Sequence, residues 1–175
     1  PPFFTLQPNA AVRAKQLALW TQLVLDHCKF HRVFLLDVSD PGGTPLFKNS
    51  ALQRQMTGEG LRALAAHMIA EGAAAWADES EGSEPRGGRS RLLIFWRSPS
   101  AWADSILRFA EDCGLVGSVE TVQSLIDGEL AQGKEFHGAP REMILVALQE
   151  LSRRGRATIF RGSAPGSEGV KFLPS

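Results

Sequence analysis

Apolar positions recur with helical spacing over the first third of the chain. Leu17, Trp20, Val24 and Cys28 follow one another at three, four and four residues, which places them on one helix face. Leu19, Leu23 and Leu25 occupy other faces of the same segment, so the helix predicted from Ala10 to Arg32 is apolar over much of its circumference. Asn9 is a suitable N-cap for it. Val33–Val38 then reads as a short strand, ended by the turn Asp40-Pro41-Gly42-Gly43. Leu46–Met56 suits a short helix. Thr57 caps the next one, whose stripe is Leu61, Leu64, Ala65, Met68 and Ile69 and whose stop is Gly72. Ala73–Asp78 and Arg91–Trp96 are predicted strands around the polar, glycine-rich loop ESEGSEPRGGRS.

The order repeats after Pro99. Trp102, Ile106, Phe109 and Cys113 mark a helix with Cys113 on its inner face, and Gly114 ends it. Ser118–Val122 is a weak strand, and a short helix begins within Thr121–Asp127. Pro140 suits the first turn of a helix whose inner face is Ile144, Leu148 and Leu151, stopped by Gly155. Arg156–Phe160 and Gly169–Leu173 are strands around GSAPGSE. Helix, strand, short helix, helix, strand, loop, strand is the order of a winged helix, here written twice. The expected fold is α+β: two tandem winged-helix domains, each a small three-helix unit with a short antiparallel sheet. The expected organisation is an extended segment over 1–8, a first domain over 9–98 and a second over 99–175.

Winged helices raise the question of nucleic acid, and charge bears on it. Lys plus Arg equals Asp plus Glu at 19 each. Residues 1–97 carry 11 basic and 9 acidic side chains and residues 98–175 carry 8 and 10, a balance of +2 against −2. A DNA-reading third helix must present cations to phosphates and base edges. The first candidate offers Arg62 against Glu59 and Glu71; the second has Arg141, Arg153 and Arg154 with Glu142 and Glu150 between. A nucleic-acid-binding transcription regulator is therefore the secondary reading, and no nucleic-acid partner is expected.

Candidate chemistry is sparse. His27 and His31 stand four apart on the first helix, but no third ligand accompanies them at a familiar spacing, so no metal is expected. Cys28 falls on the apolar stripe as a small buried thiol. No nucleophile elbow, Walker loop or dinucleotide motif is present, so neither a catalytic residue nor a cofactor is expected. Two cysteines cannot make a disulfide framework, and a reducing compartment is expected. The first residue is Pro1 rather than Met, so a preceding leader is expected.

The N-terminal segment PPFFTLQP stands apart. Its prolines exclude a helix and favour extended backbone, and Phe3 and Phe4 have no helix of their own to bury them. Exposed paired aromatics call for a cover, either the chain's own domain or a partner. Preset proline geometry lowers the entropy lost on docking.

The stretches PPFFTLQPN, RAKQLALWTQLVL, PLFKNSALQRQM, EFHG and GVKF, in that order from Pro1 to Phe172, resemble the small-subunit family of the ESCRT-II complex, the vacuolar protein-sorting-associated protein 25 family. The resemblance implies two tandem winged-helix domains in a non-catalytic adaptor of endosomal multivesicular-body sorting of ubiquitinated cargo. It implies a complex with two copies of this subunit and one of each of two larger subunits. Pro1, Pro2, Phe3 and Phe4 would anchor it on the larger subunits. The second domain would recruit an ESCRT-III subunit through that subunit's N-terminal helix, with Val119, Glu120 and Thr121 as the expected contacts. Membrane contact would be indirect, through the complex, and the location cytoplasmic and peripheral on the endosome.

Overall fold

The computed structural model describes residues 4–40, 44–77, 90–162 and 167–174. Pro1, Pro2 and Phe3, the turn residues Pro41, Gly42 and Gly43, most of the loop expected over 79–90 and the centre of GSAPGSE lie outside them. The chain divides into two compact units, Pro1–Trp96 and Arg97–Ser175.

The first unit opens on α1 (Ala10–His31). Asn9 starts it: its Oδ1 accepts from the Val12 amide at 3.1 Å and removes one of the orphan donors of the first turn. Gln16, Trp20, Val24 and Cys28 are its buried line. Arg32 ends it in the left-handed region (φ 53°). β1 (Leu35–Asp37) follows, then β2 (Lys48–Asn49), β3 (Arg54–Gln55), α2 (Gly58–Ala70), β4 (Ala74–Trp76) and β5 (Arg91–Ile94). Thr57 Oγ1 caps α2 by accepting from the Gly60 amide at 3.1 Å. β5 lies between β1 and β4, antiparallel to both, with Leu35 opposite Leu93 and Trp76 opposite Leu92. The core gathers Trp20, Val24, Phe47, Leu61, Met68 and Ile94.

One element departs from the sequence reading. Leu46–Met56 is a single 3-10 turn over Pro45–Phe47 followed by the β2–β3 hairpin, and no α-helix. Asn49 is the reason. Its side-chain oxygen accepts from the Leu52 amide at 3.0 Å, a local bond that competes with helix formation. Gln53 then adopts φ 49°, which a helix cannot contain. The hairpin brings Phe47 and Met56 into one core, with the Met56 amide donating to the Phe47 carbonyl at 2.9 Å.

The second unit contains α3 (Pro99–Asp112), β6 (Val119–Thr121), α4 (Val122–Asp127), α5 (Arg141–Arg153), β7 (Ala157–Phe160) and β8 (Gly169–Phe172). Ser98 caps α3, its Oγ accepting from the Ala101 amide at 3.1 Å. Pro140 sits one step earlier than expected, at the cap position of α5. Cys113 stands just past α3 and is half-buried rather than in the core. α3 packs on α5, and Trp102, Ile106, Phe109, Phe136, Leu148 and Phe172 are buried. β8 lies between β6 and β7, antiparallel to both.

Both sheets therefore have one order: the strand after the first helix, then the last strand, then the strand after the last helix. This is winged-helix topology, and the chain is built of two such domains.

Candidate functional site

Phe4–Gln7 lie against α1, and Phe4 belongs to a 3-10 turn rather than to the extended backbone expected from the prolines. The Phe4 ring meets Trp20 edge-on, with centroids 5.6 Å apart and planes at 68°, a favoured aromatic arrangement. Trp20 in turn contacts Phe47 at 5.9 Å in the core. Phe4 thus tethers the segment to the first domain, yet it is only half-buried. An apolar cleft of about 290 Å³ remains, lined by Phe4, Trp20, Leu19 and Leu23. Leu19 and Leu23 are 60% and 47% exposed, so the lip of the cleft is open to solvent.

Gln16 holds the segment in place. It is buried on the apolar line of α1, one turn before Trp20. Its Nε2 donates to the Thr5 carbonyl at 2.8 Å, and its Oε1 accepts from the Gln7 amide at 3.1 Å. One amide side chain thus satisfies an acceptor and a donor of backbone that lies outside any helix or strand. Arg13 adds bonds from Nη1 to the carbonyls of Gln7 and Pro8, at 3.2 and 3.3 Å. Sequence reasoning missed Gln16. Its signal was a polar residue four before Trp20 on an otherwise apolar line.

The second expected site divides. Residues directly opposite in a sheet share a face, and neighbours along a strand alternate. Val119, opposite Lys171, and Thr121, opposite Gly169, lie on one face. Thr158 and Phe160 continue that face on β7. Val119 is 63% exposed and Phe160 44%. Gly169 carries no side chain, and the Val119 side chain lies 3.5 Å from where its Cβ would stand. Glu120 lies on the other face, opposite Val170, and accepts from Ser118 Oγ at 3.0 Å. The three expected contacts therefore do not face a partner together. Thr121 also caps α4, its Oγ1 accepting from the Ser124 amide at 3.0 Å. Phe160 was missed. It follows the half-buried Ile159 in ATIF, and only the register shows which of the two turns outward.

The His27 and His31 rings lie 4.5 Å apart between centroids, tilted at 48° to one another. Burial, then repulsion from His31, lowers the His27 pKa. No group of three potential ligands exists among the described residues. Burial pushes the Cys28 thiol up to about 11, the state of an inert core residue. No helix among the described residues is long and apolar enough to cross a membrane.

Comparison with known proteins agrees with this architecture. The family described as ESCRT-II complex subunit matches residues 1–140. Vacuolar protein sorting-associated protein 25 of Arabidopsis thaliana is 38% identical over 98% of this chain and 90% of its own length. The chain belongs to the vacuolar protein-sorting-associated protein 25 family. The human member is 37% identical over 99% of this chain and 93% of its own. A crystal structure of the family's ESCRT-II subunit covers 99% of this chain and 94% of its own, with a TM-score of 0.85 and 28% identity. A chain of the ESCRT-II complex of VPS22, VPS25 and VPS36 superposes with a TM-score of 0.82 and 27% identity, covering 98% of this chain and 94% of its own. As a member of this family the chain is a subunit of an endosomal sorting complex.

Proposed function

We propose that the chain is a non-catalytic adaptor with two protein-binding surfaces. The first is the N-terminal segment Pro1–Phe4, which docks onto the two larger ESCRT-II subunits beside the α1 surface on which Phe4 rests. The second is the outward sheet face of the second domain, which receives an amphipathic helix of an ESCRT-III subunit. Two copies serve each complex, and avidity at the downstream site follows from the pair. Membrane contact is indirect, and the protein acts in the cytoplasm on the endosome surface, in sorting ubiquitinated cargo into multivesicular bodies.

The observation that carries the reading is the cleft beside Phe4. Gln16 and Trp20 hold Phe4–Gln7 against α1 while Leu19 and Leu23 stay exposed along the lip of the cleft. A folded domain that needed the segment only to complete its core would close this cleft. A preset, partly exposed aromatic flanked by prolines is the form of a docking peptide, because little entropy remains to be lost.

The test is calorimetric titration of the chain into the purified heterodimer of the larger subunits, beside a Phe3→Ala, Phe4→Ala double variant. Saturation at two copies per heterodimer, with affinity reduced strongly by the double variant, supports the reading. Binding untouched by the variant moves the anchor into the folded domains.

A further inference from the structure

The outward sheet face of the second domain is uncharged but for one side chain. Its positions form a grid of two rows on three strands, with Val119, Lys171 and Thr158 in one row and Thr121, Gly169 and Phe160 in the other. Lys171 stands half-buried on the central strand, between Val119 and Thr158. No ion pair joins it to a described residue. The two acids nearest in the register are held elsewhere. Glu120 turns to the opposite face and accepts from Ser118 Oγ at 3.0 Å. Glu168, just before β8, is bonded by Arg141, with Nε to Oε2 at 3.0 Å.

The apolar groups of the grid run across it. Val119 and Phe160, 63% and 44% exposed, occupy opposite corners. The Val119 side chain leans toward Gly169, 3.5 Å from where a Cβ would stand there, so an apolar strip passes from Val119 over Gly169 to Phe160. At about 4.8 Å between strands and about 3.4 Å per residue, the two corners are about 12 Å apart. Seven or eight residues of α-helix rise by about 10.5 to 12 Å, so one helix can rest an apolar residue on each corner. Lys171 lies beside this line, about a third of the way from Val119. The helix residue one turn from the one that covers Val119 therefore passes beside Lys171.

Burial decides what that residue is. An ammonium covered by an apolar helix face loses hydration and gains no partner. The same ammonium facing a carboxylate makes a charge-assisted hydrogen bond, strengthened by the exclusion of water. We infer that the ESCRT-III helix received on this face carries an aspartate or glutamate one turn from the residue that covers Val119, and that this carboxylate pairs with Lys171. The inference rests on the reading that the outward face receives a helix. Lys171 is then the specificity determinant: Val119 and Phe160 hold an amphipathic helix, and Lys171 rejects one that sets an apolar or basic side chain beside it.

The experiment is calorimetric titration of the ESCRT-III subunit's N-terminal helix, as a synthetic peptide, into the full chain and three variants whose folding is checked by circular dichroism. Val119→Asp tests the face and should weaken binding at least about 10-fold. Lys171→Met keeps the stem and removes the charge. It should weaken binding about 10-fold or more, because the partner's carboxylate is then buried alone. A helix with no acid at that place would bind Lys171→Met as tightly as the parent or more tightly. Lys171→Glu sets like charges together and should weaken binding at least about 100-fold. Peptides in which each Asp or Glu in turn is replaced by Lys should include one that restores affinity for Lys171→Glu, which no loss of folding can imitate. Weakening by Val119→Asp with Lys171→Met unchanged or tighter, or with no peptide restoring Lys171→Glu, overturns the inference and leaves the reading of the face standing. Binding indifferent to Val119→Asp overturns both.

Discussion

Replacing Gln16 by Met isolates the clamp on the N-terminal segment. Met matches Gln in length and fills the same buried space, but it neither donates to Thr5 nor accepts from Gln7. Two hydrogen bonds are lost, at 2.8 and 3.1 Å. A typical net contribution is about 1 kcal/mol each, so the segment's attachment weakens by about 2 kcal/mol. The Thr5 carbonyl and Gln7 amide turn to water when the segment lifts, so the loss falls on local opening more than on global unfolding. About 2 kcal/mol corresponds to a roughly 30-fold rise in the open population. Native-state hydrogen exchange reads this directly: the Gln7 amide should exchange about 30-fold faster, with amides of α2 and β5 unchanged. Docking onto the larger subunits should weaken by up to the same factor, because the segment must then be ordered at the moment of binding. Unchanged exchange at Gln7 in the Met variant would refute the clamp. Faster exchange with unchanged docking affinity would refute its role in pre-organisation while leaving the clamp intact.

Two further outcomes follow from the second domain. Val119→Asp should lower affinity for an ESCRT-III subunit at least about 10-fold, an ordinary effect for a central apolar anchor, whereas Glu120→Gln, on the opposite face, should leave it unchanged; calorimetric titration of both variants checks this, and the reverse order of effects would sink the assignment of the outer face. The Arg141 guanidinium, hydrogen-bonded to Glu168 with Nε to Oε2 at 3.0 Å, holds the Glu168 carboxyl below the usual carboxylate range. The folded state then resists protonation more than the unfolded state does, so the pair's stabilisation is present above the unfolded glutamate value and is lost as pH falls through the lower folded one. The gap in urea midpoint between the parent and Glu168→Gln should therefore be widest near neutrality and should close on acidification, and a gap that stays constant down to about pH 3 would contradict the assignment.

Elements whose start and stop are chemically marked were legible. Asn9 and Thr57 each cap a helix through a side-chain oxygen, and Gly72, Gly114 and Gly155 each take the positive φ that ends one, whereas the Ser98 cap of α3 went unread. The hairpin at 48–55 was not legible, because its apolar residues carry no strand alternation and its turn rests on one asparagine bond. Site residues divided along the same line. The aromatic at position 4 announced itself by lacking a helix to bury it. Gln16 did not, since a single polar residue on an apolar line does not say what it bonds to, and its partners lie 9 and 11 residues away. The outward side of β6 was invisible too: Val119 and Glu120 are adjacent letters, and only pairing with β8 decides which one meets solvent.

The two domains share a strand order but differ in where their apolar surface is left open. In the first, it lies on the opening helix, because Phe4 covers the Trp20 side of α1 and leaves Leu19, Leu23 and Phe30 uncovered. In the second, the opening helix α3 is turned inward through Trp102, Ile106 and Phe109, and the open surface moves to the sheet, at Val119 and Phe160. One fold thus yields two different open surfaces, a helix with a cleft and the outward face of a three-stranded sheet. Partners that fit them cannot readily exchange, since a cleft selects an inserted side chain while an open sheet face selects a broad apolar surface. A duplicated domain can in this way serve as an adaptor without either half competing for the other's ligand.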